Sequence, residues 1–265
     1  MKSFSCGKRL GLKRNKLLAI TNVYLLIFVV ALIQAQPGQA SESKSSSAIE
    51  TVVSIQQAKA RPLARSSLST LKVKGRAPKT GYAREKFSSG WANISTCSSG
   101  GAVDARNYIL IRDLSKKTFR SGPGCVVASG VLRDSYTGKT IRFVKGIVTS
   151  MAVQIDHIVA VSDAWQKGAQ KLSPSKRFAF YNDPDNLVAV DGPTNQSKGD
   201  SDAASWLPPQ KAMRCAYVSQ QILVKAKYQL WVTKAEHDAM ARVLDGCPGI
   251  RLAQPQITAK FVQKR

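Results

Sequence analysis

Apolar positions divide the chain into stretches of different character. A mainly apolar run from Leu17 to Ile33 follows the cations Lys8, Arg9, Lys13, Arg14 and Lys16 and leads into a small-residue segment ending Gly38-Gln39-Ala40. That order reads as an export signal, residues 1–40, cleaved after Ala40. The run sits at the lower edge of what spans a bilayer, so an uncleaved anchor is the competing reading. From Ser41 to about Ser88 the chain is rich in Ser, Ala, Lys and Arg, with Tyr82 and Phe87 its only aromatics and little apolar periodicity. Residues 41–88 therefore read as a basic, solvated linker.

A folded domain is expected over residues 89–250, with a basic tail at 251–265. Val103, Ile109, Leu110 and Leu114 fall on helical spacing and predict one amphipathic helix between Ala102 and Lys117. Val126, Val127, Val131 and Leu132, then the turn-rich Asp134 to Gly138, then Ile141, Phe143 and Val144, predict a hairpin. Ala152 to Ile155 is a short strand ending at Asp156-His157, and Asn186 to Val190 is a second one. Helices are expected over Val161–Gln170, from Thr194 after a Gly192-Pro193 break, and over Ala212–Val232. Thr233 with Glu236 three residues on is a capping-box signature for a last helix stopping before Gly246. The class is α+β, and no internal repeat is visible.

Charge then changes the picture. The chain carries 40 basic against 16 acidic residues, a formal net +24. The excess persists beyond Trp91, which points to a polyanionic partner; solubility or attachment to an anionic envelope is the plainer explanation. Cys6 precedes the apolar run and is expected to leave with the signal. Cys97, Cys125, Cys215 and Cys247 remain, an even set that in an exported chain favours disulfides. Three pairings are possible, and proximity favours Cys97 with Cys125 and Cys215 with Cys247. A four-cysteine zinc site ranks below them, because no Cys-x-x-Cys pair exists.

The chemistry concentrates between residues 156 and 200. Asp156-His157 places an acid and a base side by side at a strand end, a pair that alone is common and structural. Asn186, Asn195, Lys198 and Asp200 follow in the order strand, strand, helix. In such an arrangement the end of the first strand faces the first turn of the helix, so Asp156 and Asn195 can offer oxygen ligands to one hard cation such as Mg²⁺ or Mn²⁺.

Ile155-Asp156-His157-Ile158-Val159, with Asn186-Leu187 and Asn195-Gln196-Ser197-Lys198-Gly199-Asp200, resembles the HNH (ββα-metal) nuclease motif. Asp163-Ala164-Trp165, Gly168-Ala169, Tyr181-Asn182-Asp183, Trp206-Leu207-Pro208-Pro209 and Cys215-x-Tyr217 extend the likeness to secreted bacterial HNH endonucleases related to the C-terminal domain of GmrSD-type restriction enzymes, over roughly Trp91 to Cys247. The resemblance implies an HNH core inside a disulfide-stabilised domain with extra helices and a hairpin. It implies that Asp156 and Asn195 hold the metal, Mg²⁺ or else Mn²⁺. It also implies that His157 deprotonates the attacking water, that Asn186 ties the loop and orients the histidine, and that Lys198 contacts the scissile phosphate, unless it is a plain surface lysine. Ala160 departs from the proline common in relatives.

The expected activity is divalent-metal-dependent hydrolysis of nucleic acid by a secreted protein without a stable membrane partner. DNA with little sequence specificity is favoured over RNA, since no separate recognition module is present. The competing reading from another class is a non-catalytic basic exported protein that binds nucleic acid or envelope polymers; a toxin would share the chemistry and differ only in biology. His237 lacks a partner at metal spacing and reads as structural. Trp91, Trp165, Trp206 and Trp231 read as packing residues, Asp183 and Asp185 as turn residues, and Lys176 and Arg177 as possible groove cations. Asp156 is expected to raise the proton affinity of His157 somewhat, and the bound cation to offset the rise.

Overall fold

The computed structural model describes residues 61–254 except 99, 123 and 124, so the export signal, the linker up to residue 60 and the tail beyond 254 lie outside the described residues. In chain order the described elements begin with α1 (Ala64–Thr70), β1 (Asn93–Thr96), β2 (Ala102–Asp104), α2 (Ala105–Asp113), β3 (Leu114–Phe119), β4 (Val127–Arg133), β5 (Thr140–Val144) and β6 (Val153–His157). They continue with α3 (Val161–Gln166), α4 (Pro174–Asn182), β7 (Leu187–Asp191), α5 (Gly192–Lys198), α6 (Arg214–Lys227) and α7 (Lys234–Asp245). Short sheets among helices make the fold α+β.

The expected hairpin is β4–β5, paired antiparallel from Ser129↔Val144 to Arg133↔Thr140. The Asp134 side chain closes its turn by accepting the Thr137 N–H at 2.8 Å. A third strand, β3, joins β4, and β1 pairs with β2. The helix expected over 102–117 is therefore only its middle. Asp104 accepts the Asn107 N–H at 2.7 Å and starts α2 there, and Leu114 already has extended backbone. Leu114 is buried either way, so its helical spacing carried no information on where the helix stops.

The strands that carry the candidate residues, β6 and β7, pair antiparallel from Val153↔Asp191 to His157↔Leu187, and α5 follows β7 without a loop. The Gly192-Pro193 break is the first turn of α5: Asp191 accepts the Thr194 N–H at 2.9 Å, and proline costs nothing where no backbone donor is needed. Gly192 is required, because a Cβ there would stand 2.0 Å from the Met151 carbonyl oxygen. Asn186 lies in a 3-10 turn, Pro184–Asn186, just before β7. The helix expected to Gln170 stops at Gln166. Gly168 then takes a positive φ of 121° with the Trp231 ring 3.1 Å from where its Cβ would be. α4 was not expected; Ser173 caps it through the Lys176 N–H at 3.3 Å.

α6 ends at Lys227 instead of 232, because Gln229 turns the chain at φ 54° and Val232 returns to bridge Val73. α7 begins at Thr233 as the capping box predicts, with the Thr233 hydroxyl accepting the Glu236 N–H at 3.1 Å. The reciprocal half is missing: the Glu236 carboxylate is fully buried and turned inward. Cys215 and Cys247 form the expected disulfide, joining the start of α6 to the residues after α7.

Residues 61–88 are folded, not a tether. Ala64, Leu68 and Leu71 recur at i, i+4 and i+7, a stripe the Ser/Arg/Lys composition conceals. They pack with Val218, Ile222, Met240 and Leu244 of α6 and α7. Leu252 is buried in the same cluster and donates its N–H to the Pro62 carbonyl, so the folded part also reaches past residue 250. Behind these elements lies a buried set of charges. Lys167 Nζ, fully buried, meets Asp163, Asp202 and Glu236 at 2.7, 2.6 and 2.6 Å; Lys225 meets Glu236 at 2.9 Å; Arg76 meets Asp163 and Asp202 at 3.0 and 2.7 Å. Two buried lysines and Arg76, which reaches in from the surface with its side chain 37% exposed, face three buried carboxylates, so the set as a whole is balanced, the condition under which buried ions are tolerated.

Candidate active site

The end of β6, the first turn of α3, α5 and residues 82–84 enclose a cleft of about 350 Å³. Gln154 and Asp156 are two apart on β6 and so share a face, and Asn195 on α5 donates its side-chain N–H to Gln154 Oε1 at 2.9 Å. The bond engages the Asn195 amide nitrogen and leaves its carbonyl oxygen outside that contact. Asp156, His157 and Asn195 all line the cleft, with Asp200 at its rim.

Asp156 is almost wholly buried, and both its oxygens are engaged. Lys198 Nζ donates to Oδ1 at 2.8 Å and Tyr136 Oη donates to Oδ2 at 2.5 Å. Lys198 also donates to the His157 carbonyl at 2.8 Å, and its side chain is fully buried. The ammonium is therefore turned inward from α5 toward β6, and the plain surface lysine that was the other expectation for it is not what the fold holds.

His157 Nε2 lies 2.8 Å from the Tyr181 carbonyl oxygen. A carbonyl can only accept, so Nε2 carries the hydrogen and Nδ1 carries the lone pair. The ring stacks on Trp91, centroids 5.7 Å apart and 12° from parallel, and tilts against the Tyr181 ring at 4.6 Å. Burial first, then the Arg84 guanidinium, push its pKa down to about 3, with the Tyr181 carbonyl opposing and Lys198 adding to the fall. The small rise expected from Asp156 is outweighed because the ring is out of water and the Arg84 and Lys198 cations add to the fall. Asn186 accepts the Val159 N–H at 2.8 Å and donates to the Val159 carbonyl at 3.3 Å, fastening the chain two residues past His157.

Asp156 and Asn195 together offer hard oxygen donors. Among the described residues no group of three or more His, Cys, Asp or Glu forms a metal cluster. The donor set fits a loosely held hard cation that takes most of its ligands from water and phosphate, with Asp156 shared with Lys198, and does not fit zinc.

The remaining candidates lie elsewhere. His237 is half-buried on α7 with Nδ1 3.5 Å from Asp238. Asp183 and Asp185 hold the turn before β7 and pair with Lys227 at 2.8 and 2.7 Å. Arg177 is spent on the Lys86 and Leu172 carbonyls, and neither it nor Lys176 lines the cleft. Trp165, Trp206 and Trp231 pack, as expected; Trp91 packs too, but on the candidate base itself. Cys97 follows β1 and Cys125 precedes β4. Sequence reasoning missed Tyr136, Gln154 and Tyr181, which hold or orient the site, and Arg84, which lies in the supposed linker. Tyr136 sits in a turn and carries no local signal.

The family described as GmrSD restriction endonucleases, C-terminal domain, matches residues 104–243. A protein of Arthroderma benhamiae, described as an uncharacterized secreted protein, is 37% identical over 186 residues, covering 69% of this chain and 84% of its own length. No solved structure matches. Among the described residues no helix is long and apolar enough to cross a membrane.

Proposed function

The chain belongs to the family of GmrSD restriction endonuclease C-terminal domains, and from that premise and the cleft geometry we propose that it is a secreted HNH-type endonuclease. It would hydrolyse phosphodiester bonds of nucleic acid, DNA before RNA, with little sequence preference and with export directed by residues 1–40. One observation supports the reading: the His157 ring is fixed, Nε2 tied to a backbone carbonyl and the ring stacked on Trp91, at a cleft that Asp156 and Asn195 also line.

In this reading water attacks phosphorus and its proton passes to His157 Nδ1. The bond from phosphorus to the 3′ oxygen breaks, and that oxygen takes a proton from solvent. The Tyr181 carbonyl stabilises the imidazolium that forms, and the incoming phosphate, being negative, raises a proton affinity that burial and Arg84 have lowered. Asp156 and Asn195 would hold the divalent cation, Mg²⁺ before Mn²⁺, which supplies Lewis-acid charge to the phosphate oxygens. Lys198 and Tyr136 keep the Asp156 carboxylate in one orientation.

Purified protein incubated with plasmid and with RNA, with and without EDTA, tests this. Cleavage should need the cation and weaken as salt rises. His157→Ala should fall by roughly 10² to 10⁴-fold, the worth of a positioned base, while Asn195→Ala should be partly relieved by high Mn²⁺. Undiminished cleavage in EDTA, or loss on His237→Ala with none on His157→Ala, would sink the reading. A non-catalytic nucleic-acid binder would show no cleavage under any of these conditions.

A further inference from the structure

With Lys198 buried against Asp156, the described residues that line the cleft include one cation, Arg84, that faces no acid among them. The cleft's carboxylates are already balanced: Asp156 by Lys198 at 2.8 Å, and Asp200 by Lys79 at 3.2 Å. Arg84 lines the same cleft, is exposed, and makes no ion pair among the described residues. The cleft therefore carries an uncompensated positive charge, located on that guanidinium.

The guanidinium is also held in position. Arg84 Nε donates to the Tyr181 hydroxyl at 3.3 Å, and its carbon lies 5.1 Å from the Tyr181 ring centroid. Tyr181 is the residue whose carbonyl fixes His157, so one residue positions both the base and the cation. Because Nε is used, the two terminal nitrogens remain, and these form the fork that meets two oxygens of a phosphate. The backbone around Arg84 is pinned: it opens a 3-10 turn, Phe87 just beyond is buried with Val159, Val161 and Trp165, and Arg177 holds the Lys86 carbonyl at 3.0 Å.

We infer that Arg84 is the residue that binds the scissile phosphate of the substrate, and that the active site therefore includes a segment lying before the family-matched region. The inference rests on the nuclease reading, and it gives the phosphate-binding role to a residue of the supposed linker in place of Lys198. Residue 84 precedes the matched span, which begins at 104.

The test uses the full exported chain and two readouts: anisotropy of a labelled oligonucleotide in EDTA, and cleavage of the same oligonucleotide in Mg²⁺. Arg84→Gln should melt where the wild type does, bind at least about tenfold more weakly, and show a salt slope lower by roughly one contact. Its cleavage should fall by at least about tenfold. Arg84→Lys keeps the charge but not the fork; it should retain most of the salt slope and recover only part of the cleavage. Lys176→Gln, outside the cleft, should match the wild type. If wild type cuts and Arg84→Gln binds and cuts within about twofold of it, the inference is overturned while the nuclease reading stands. If the wild type neither binds nor cuts, both fall.

Discussion

Replacing Lys198 by methionine tests the least expected contact in the site. The lysine side chain is fully buried, Asp156 is nearly so, and the charges sit 2.8 Å apart. At an effective dielectric of about 20 the gross attraction at that separation is about 6 kcal/mol, much of it offset by desolvation. Methionine conserves the volume but leaves the Asp156 carboxylate with only the Tyr136 hydroxyl and strips a donor from the His157 carbonyl. Breaking one side of a buried pair costs about 3 to 5 kcal/mol. For a domain of this size that lowers Tm by about 6 to 20 °C. The double replacement Asp156→Leu with Lys198→Met removes both charges and should restore most of the loss, to within about 2 kcal/mol of wild type. Urea unfolding followed by tryptophan fluorescence, in EDTA so that no bound cation contributes, measures all three. A single variant within about 1 kcal/mol of wild type, or a double variant worse than the single one, would show that Lys198 does not balance Asp156.

Three further outcomes follow from the same reasoning. His157 keeps a folded pKa near 3 against 6.5 when unfolded, so the unfolded chain binds the proton more readily and stability is lost as pH falls from 6.5 toward 3. The loss should be about 2 kcal/mol at pH 5, seen as a drop in urea midpoint between pH 7 and 5 that is absent in His157→Gln. Reducing Cys215–Cys247, whose partners are 32 residues apart, should cost about 3 to 4 kcal/mol in thermal unfolding. Peptide mapping of the oxidised protein should recover that linkage, and a Cys97–Cys125 linkage is the pairing we propose beside it. Lys167→Met should yield little or no folded protein by circular dichroism, because three buried carboxylates lose their shared cation.

What the chain reveals by itself depends on whether a residue's partner is near it in sequence. The β4–β5 hairpin, the Asp156-His157 strand end and the Thr233 cap rest on local chemistry and are legible. Asn186 and Asn195 are legible by their places on a strand, turn and helix. The direction of Lys198 is not, because a lysine one turn past Asn195 can point outward or inward, and the acid that draws it inward is 42 residues away. The Glu236 position reads as half of a capping box, yet Lys167 and Lys225, from other elements, take its carboxylate. α1 is hidden for a different reason. Its stripe is only three residues wide and is diluted by Ser, Arg and Lys, so composition outweighs period there.

The six charges around Lys167 set a rule for how this sequence can drift over generations. Asp163 answers three cations and Asp202 and Glu236 two each, and the members come from residues 76, 163, 167, 202, 225 and 236, so no single change leaves the count even. A lineage that loses Asp202 leaves three cations on two carboxylates, Arg76 with Asp163 and Lys167 with Asp163 and Glu236, an excess that a second substitution elsewhere in the chain would relieve. Descendants should therefore carry either the whole set or a concerted replacement by apolar residues, with few intermediates between them. Arg76, outside the family-matched span, would be inherited with the other five as one unit.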